Sequence, residues 1–169
     1  MVIVSKKNMF RIMLPAVFII LISCNIFSPE YERFSGVTGS GDNSTIEGLM
    51  NNFVYSYAFR DSFLYADLLH EDFIFEYDNG GIYESWSKEE DVRITKRMFR
   101  SFNKIDLIFN TLFPQTIIAP DTTVFTSFRI DFHTSGEIIS LTGFSRFTFS
   151  KETEDGSERY YIKFWSDLK

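Results

Sequence analysis

From Lys104 onward the chain reads as a succession of strands, and this more than anything limits what it can fold into. Lys104 to Phe113 alternates with Ile105, Leu107 and Phe109 on one face, and Val124, Phe128, Ile130 and Phe132 do the same further on. Ile138 to Ser150 continues with Phe147 and Phe149 on one side, and a last run extends from Tyr160 to Asp167. Alternation of period two sends neighbouring side chains to opposite faces, so these runs predict a sheet with one apolar face. Pro120-Asp121, Ser135-Gly136 and Glu154-Asp155-Gly156 supply turn chemistry between them. A sheet with one apolar face needs a cover.

The preceding segment provides that cover. Ser44-x-x-Glu47 has capping-box spacing, and Ile46, Leu49, Met50, Phe53, Val54 and Tyr57 follow at helical intervals. Arg60-Asp61-Ser62 breaks the pattern, and Asp61 can cap a shorter helix with Leu64, Leu68 and Leu69 inward, ending near His70-Glu71-Asp72. Phe73 to Tyr77 reads as a strand, and Asp78-Asn79-Gly80-Gly81 as a hairpin turn into Ile82-Tyr83. Ser87-x-x-Glu90 opens a third helix with Val92, Thr95, Met98, Phe99 and Phe102 along one side. The expected class is α+β: three N-terminal helices packed on a mainly antiparallel sheet.

At 169 residues the chain suits one domain. Its 20 Phe and 8 Tyr call for either a thick aromatic core or an aromatic-lined pocket. The first 23 residues hold Lys6, Lys7 and Arg11 and no acid, leaving 14 basic against 23 acidic residues in the remainder, a net charge of −9. A body this acidic argues against nucleic acid as a partner.

Met1 to Ser23 has a basic start and an apolar run from Ile12 to Ile22, the layout of a secretory signal. The run is shorter than the roughly 20 residues a spanning helix needs, and Pro15 interrupts it. It ends in Leu21-Ile22-Ser23-Cys24, which resembles the lipobox of bacterial lipoproteins. That resemblance implies cleavage before Cys24 and fatty acid, of the palmitate kind, on its sulfur. Cys24 is the only cysteine, so no intrachain disulfide competes for it. Asn25 stands where such lipoproteins carry Asp for inner-membrane retention, which favours the periplasmic face of an outer membrane if the cell has one. The expected layout is a signal peptide over 1–23, lipidated Cys24 with a flexible tether through 43, and a folded body over 44–169.

Phe63-Leu64-Tyr65-Ala66-Asp67-Leu68-Leu69 with Asp72-Phe73, then Trp86-Ser87-Lys88-Glu89-Glu90, then Tyr160-Tyr161-Ile162 through Trp165-x-Asp167 are similar to segments of the nuclear transport factor 2-like (cystatin-like, SnoaL-like) superfamily. The resemblance spans the body and implies a cone-shaped sheet around the helices with a cavity inside. Members include isomerases, cyclases, dehydratases, ligand binders and interaction modules. In the enzymes, the resemblance implies, catalysis falls to one Asp or His with Tyr donors.

Arg129, Asp131 and His133 share one face of a strand while Phe128, Ile130 and Phe132 share the other. Asp131 and His133 are the catalytic candidates if they line a cavity. If helices cover the apolar face, the three lie in water or at a subunit contact, and this reading leads because buried ionisable clusters are rare. Tyr55, Tyr57, Trp86 and Trp165 are candidates for a pocket mouth, with Asp167 the next acid to test. His70 fits a helix-end role. Neither the two histidines nor Cys24 sit in a recurrent transition-metal ligand spacing; a carboxylate-only calcium site stays open, although Asp78-Asn79-Gly80 lacks the further ligands of a calcium loop, and no cofactor is expected. The leading expectation is a non-catalytic, lipid-anchored envelope module that binds a small apolar ligand or an envelope protein; a further reading is a subunit with only a scaffolding role, since the resemblance implies pairing through the sheet face as a homodimer. The alternative is a SnoaL-like isomerase or cyclase acting on a small apolar substrate, with Asp131 or His133 as base and a tyrosine as donor.

Overall fold

A computed structural model describes residues 41–110, 113–118, 121–154 and 156–168. Cys24, the expected signal peptide and all but residues 41–43 of the expected tether lie outside the described residues. The order is α1 (Ile46–Phe59), α2 (Ser62–Asp67), β1 (Leu69–Asn79), β2 (Ile82–Ser87), α3 (Lys88–Ser101), β3 (Lys104–Phe109), β4 (Phe113–Ile118), β5 (Asp121–His133), β6 (Ile138–Glu154) and β7 (Ser157–Leu168).

The helix starts differ in chemistry. Thr45, one residue past the expected cap, accepts the Gly48 N–H at 3.0 Å, while Ser44 turns back to Asp42. Asp61 caps α2 as expected, accepting from Phe63 and Leu64. Ser87 precedes α3 without a side-chain cap bond. α1 stops at Arg60, whose φ of 57° is left-handed, and the Arg60 guanidinium donates to the Phe102 carbonyl at the end of α3. The chain before α1 is also held: Asn52 brackets Gly41 through N–H···Oδ1 at 2.6 Å and Nδ2–H···O at 2.9 Å, and Tyr160 N–H bonds Asn43 O at 2.8 Å. A Cβ on Gly48 would lie 1.9 Å from Asp42 O, so the close approach needs glycine there.

The sheet has seven strands in the order β2-β1-β7-β6-β5-β3, with β4 also on β5. It is mostly antiparallel, with one parallel pair, β1 with β7. The expected cone is corrected here. The sheet is an open path whose end strands, β2 and β3, do not pair, and it does not curl closed. Closure would require those short ends to meet; instead helices lie on the apolar face and bury it, so nothing drives the ends together.

Other boundaries move too. The expected strand from Lys104 breaks after Phe109, and β4 resumes along the same edge of β5 with the register shifted. β1 begins at Leu69, so His70 belongs to a strand, with Nε2 2.6 Å from Glu152 Oε1, and not to a helix end. β6 and β7 extend further than their apolar patterns. Leu49, Met50, Phe53, Phe147, Phe149 and Ile162 form the centre of the core, each fully buried and each contributing about 1.5–3 kcal/mol by burial.

Candidate functional site

Between the helices and the sheet lies a cavity of about 390 Å³. Phe53 and Tyr57 of α1 and Met98 of α3 close it on one side, with Leu107, Phe109, Ile130 and Phe132 on the other. These sheet residues are the in-phase apolar positions read from the sequence. Gly143 sits opposite Phe128 in the β5–β6 register, and a Cβ there would come within 2.9 Å of the Phe128 ring, so glycine lets that ring lie over β6 at the wall of the cavity.

One polar cluster enters this apolar space. Asp167, near the end of β7, accepts at Oδ1 from Ser145 Oγ–H at 2.7 Å and from Trp165 Nε1–H at 2.8 Å. Among the described residues no donor reaches Oδ2. Burial raises the Asp167 pKa above its ordinary value, with the two hydrogen bonds opposing the shift. The β-pleat explains the grouping: Trp165 and Asp167 are two apart on β7, and Ser145 is the direct partner of Asp167 on β6.

A second carboxylate lies deeper. Asp91, 4% exposed, accepts from the Tyr65 hydroxyl and from Trp86 Nε1–H at 2.8 Å. Tyr65 in turn meets Tyr57, which also has Thr95 beside it. Burial, reinforced by the charge of Asp167, raises the Asp91 pKa, and burial with the charges of Asp91 and Asp167 raises that of Tyr57 strongly. A chain of polar groups therefore runs from Trp86 through Asp91 and Tyr65 to Tyr57 at the cavity wall.

Of the residues singled out from the sequence, Tyr57, Trp165 and Asp167 come together on this cavity. Trp86 is instead a support: it stacks on Phe75 at 4.7 Å between centroids, and Phe75 meets Trp165 edge-on at 4.8 Å. Tyr55 stacks on Phe59 at 4.2 Å away from the cavity. Asp131 and His133 lie on the sheet face opposite Ile130 and Phe132. There Asp131 pairs with Arg129 at 3.0 Å and His133 meets Asp106 at 2.8 Å. Hydrogen bonds from Ser140 and Arg129 lower the Asp131 pKa, the reverse of a buried base. Among the described residues no group of three or more His, Cys, Asp and Glu could hold a metal ion, and no helix is long and apolar enough to cross a membrane.

Asp91, Tyr65 and Ser145 did not stand out in the sequence, although each had a signal. Asp91 is in phase with Thr95 and Phe99 on the buried stripe of α3, and Ser145 is in phase with Phe147 and Phe149. A polar residue on an apolar period is the mark to look for.

No family model matches the sequence, and no curated protein matches it. Solved structures do. A protein of unknown function from Mycobacterium tuberculosis aligns with a TM-score of 0.59 at 15% identity, over 73% of this chain and 68% of the other. A conserved protein from Planctomyces limnophilus gives 0.58 at 15% identity, over 73% and 91%. A nuclear transport factor 2-like superfamily protein from Salmonella enterica gives 0.57 at 13% identity, over 71% and 84%. At such low identity the likeness speaks to architecture alone. In fold, the body of this chain resembles the nuclear transport factor 2-like, SnoaL-like superfamily.

Proposed function

We propose that this chain is a lipid-anchored envelope protein whose body binds a small, largely apolar ligand carrying one hydrogen-bond donor. The observation behind the binding reading is the apolar cavity with Asp167 at its wall, Oδ1 engaged by two donors and Oδ2 left for a third. A ligand hydroxyl or amine that reaches Oδ2 replaces the water a half-buried carboxylate would otherwise need. Binding to the folded state raises the melting temperature. In a panel of aromatic and alicyclic alcohols and amines, the expected result is stabilisation by some members, reduced at least tenfold in apparent affinity by Asp167→Asn. Failure of every member to stabilise the native chain, or equal binding by the variant, counts against this reading.

The anchor half of the proposal rests on Leu21-Ile22-Ser23-Cys24. Fatty acid on Cys24 keeps the body at a bilayer, since each buried methylene contributes about 0.8 kcal/mol. Cys24→Ser is expected to abolish both maturation at that bond and membrane fractionation; retention of both would remove the anchor. Pairing of two copies through the outer sheet face belongs to the same proposal, supported by Ile138 and Phe144, each 59% exposed. Sedimentation as a monomer at high concentration would exclude it.

A second reading has one specific support, the raised pKa of Asp167 with a donor-free oxygen in an apolar cavity. A SnoaL-like isomerase or cyclase would use Asp167 as its base and Tyr57 as its donor, in place of Asp131 and His133. Enolisable apolar ketones incubated in D2O would then gain deuterium with the native chain and not with Asp167→Asn.

A further inference from the structure

One corner of the molecule, remote from the cavity, combines exposed aromatic rings with cations that form no salt bridge among the described residues. The end of α1, the start of α2 and the last turns of α3 converge there around a shallow open recess of about 540 Å³. Phe63 is 83% exposed and Phe59 59%. Arg60, Lys96 and Arg100 surround them. Lys96 Nζ stands over the Phe63 ring, 5.8 Å from its centre, a cation–π contact at the edge of the recess. Arg60 is held by the Phe102 carbonyl, a neutral acceptor, and no described acid forms a salt bridge with any of the three cations. The nearest acid in sequence, Asp61, spends its carboxylate capping α2. The rest of the body is acidic, so the positive corner is a local feature against the general charge.

We infer that this corner docks on a bilayer surface rich in anionic phospholipid. Phe59 and Phe63 enter the boundary between headgroups and acyl chains, and Arg60, Lys96 and Arg100 face the phosphates. Charge complementarity selects the partner: each cation near an anionic surface strengthens association about fivefold. The rings favour lipid over an acidic protein, because they project from a shallow recess and not from a walled groove. Burial of apolar rings together with attraction of flanking cations is the combination that holds peripheral segments in the interface. Docking here would fix the orientation of the body whether or not Cys24 carries lipid.

The test uses the whole chain with Cys24→Ser, so that one introduced cysteine is the sole thiol. An environment-sensitive fluorophore is placed at Phe63→Cys or, as control, at Tyr83→Cys, 70% exposed on the β1–β2 hairpin. With phosphatidylglycerol vesicles the label at 63 is expected to shift to the blue; with phosphatidylcholine vesicles it is not, and the label at 83 shifts with neither. Adding Lys96→Glu and Arg100→Glu removes two cations and adds two anions, and should raise the lipid concentration for half-maximal shift by at least about 25-fold, with the melting temperature of the labelled chain unchanged. No shift at 63, an equal shift at 83, an equal response to both lipids, or indifference to the charge reversals would overturn the inference, as would capture of this corner by an acidic protein with no response to vesicles.

Discussion

Asp91 is buried and Asp167 half-buried, and their hydrogen bonds make them respond differently to substitution. Asp91 receives Tyr65 on one oxygen and Trp86 on the other, so Asp91→Ala strands two interior donors. Each stranded donor costs about 1–3 kcal/mol, and urea denaturation should show a loss in that range or above. Asp167 receives both donors on Oδ1, so the oxygen of an asparagine can serve them and its amide can occupy the donor-free side. Asp167→Asn should therefore leave stability near neutral pH unchanged or slightly improved. Because burial holds both pKa values above 3.8, the native protein keeps protons that the unfolded chain has released between 3.8 and the folded-state value. Stability contributed by these groups falls as pH rises through that window and levels off above it. Melting curves from pH 3.8 upward should show the native chain declining relative to Asp167→Asn; parallel curves would mean that the carboxylate is not desolvated. This pair of acids was only half visible in the sequence. Asp167 drew attention beside Trp165, but nothing local announces that Ser145 lies across from it.

At the scale of elements, glycine marks the points where backbones must touch. Gly48 of α1 faces Asp42, and Gly48→Ala would push residues 41–43 off the body. The expected readout is faster amide exchange at Tyr160, whose N–H bonds Asn43 O, together with a loss of about 1–3 kcal/mol from overpacking. Gly143 lets the Phe128 ring lie across β6, and Gly143→Val should displace that ring, altering the cavity wall. Ligand stabilisation should change more than the melting temperature of the empty protein. The helices themselves were legible, since α1 and α3 each carry a long apolar period. Their caps were less so: Ser44 and Thr45 are adjacent hydroxyls, and which of them caps depends on Asp42 drawing Ser44 away. The break between β3 and β4 is not legible in the sequence because alternation runs up to it, and it is the register along β5 that shifts.

In the whole molecule, the open sheet leaves two different faces with different work. The inner face meets helices and encloses the cavity; the outer face carries Arg129 and Asp131 in a surface ion pair and His133 in contact with Asp106. Such exposed pairs contribute little, so Asp131→Asn should shift the melting temperature by no more than a degree or two and leave ligand stabilisation intact. Loss of ligand response in that variant would reopen the outer face as the site. The sequence by itself determined the helix and strand types, the one-sided sheet and which residues of β5 face together, because periodicity is a local property that the backbone obeys wherever it sits. Only the tertiary structure decided that β1 runs parallel to β7, that the sheet stays open, and that Tyr57, Ser145 and Asp167 meet at one cavity. Those outcomes depend on packing between residues far apart in the chain, where burial, charge and register are settled jointly and no single segment records the result.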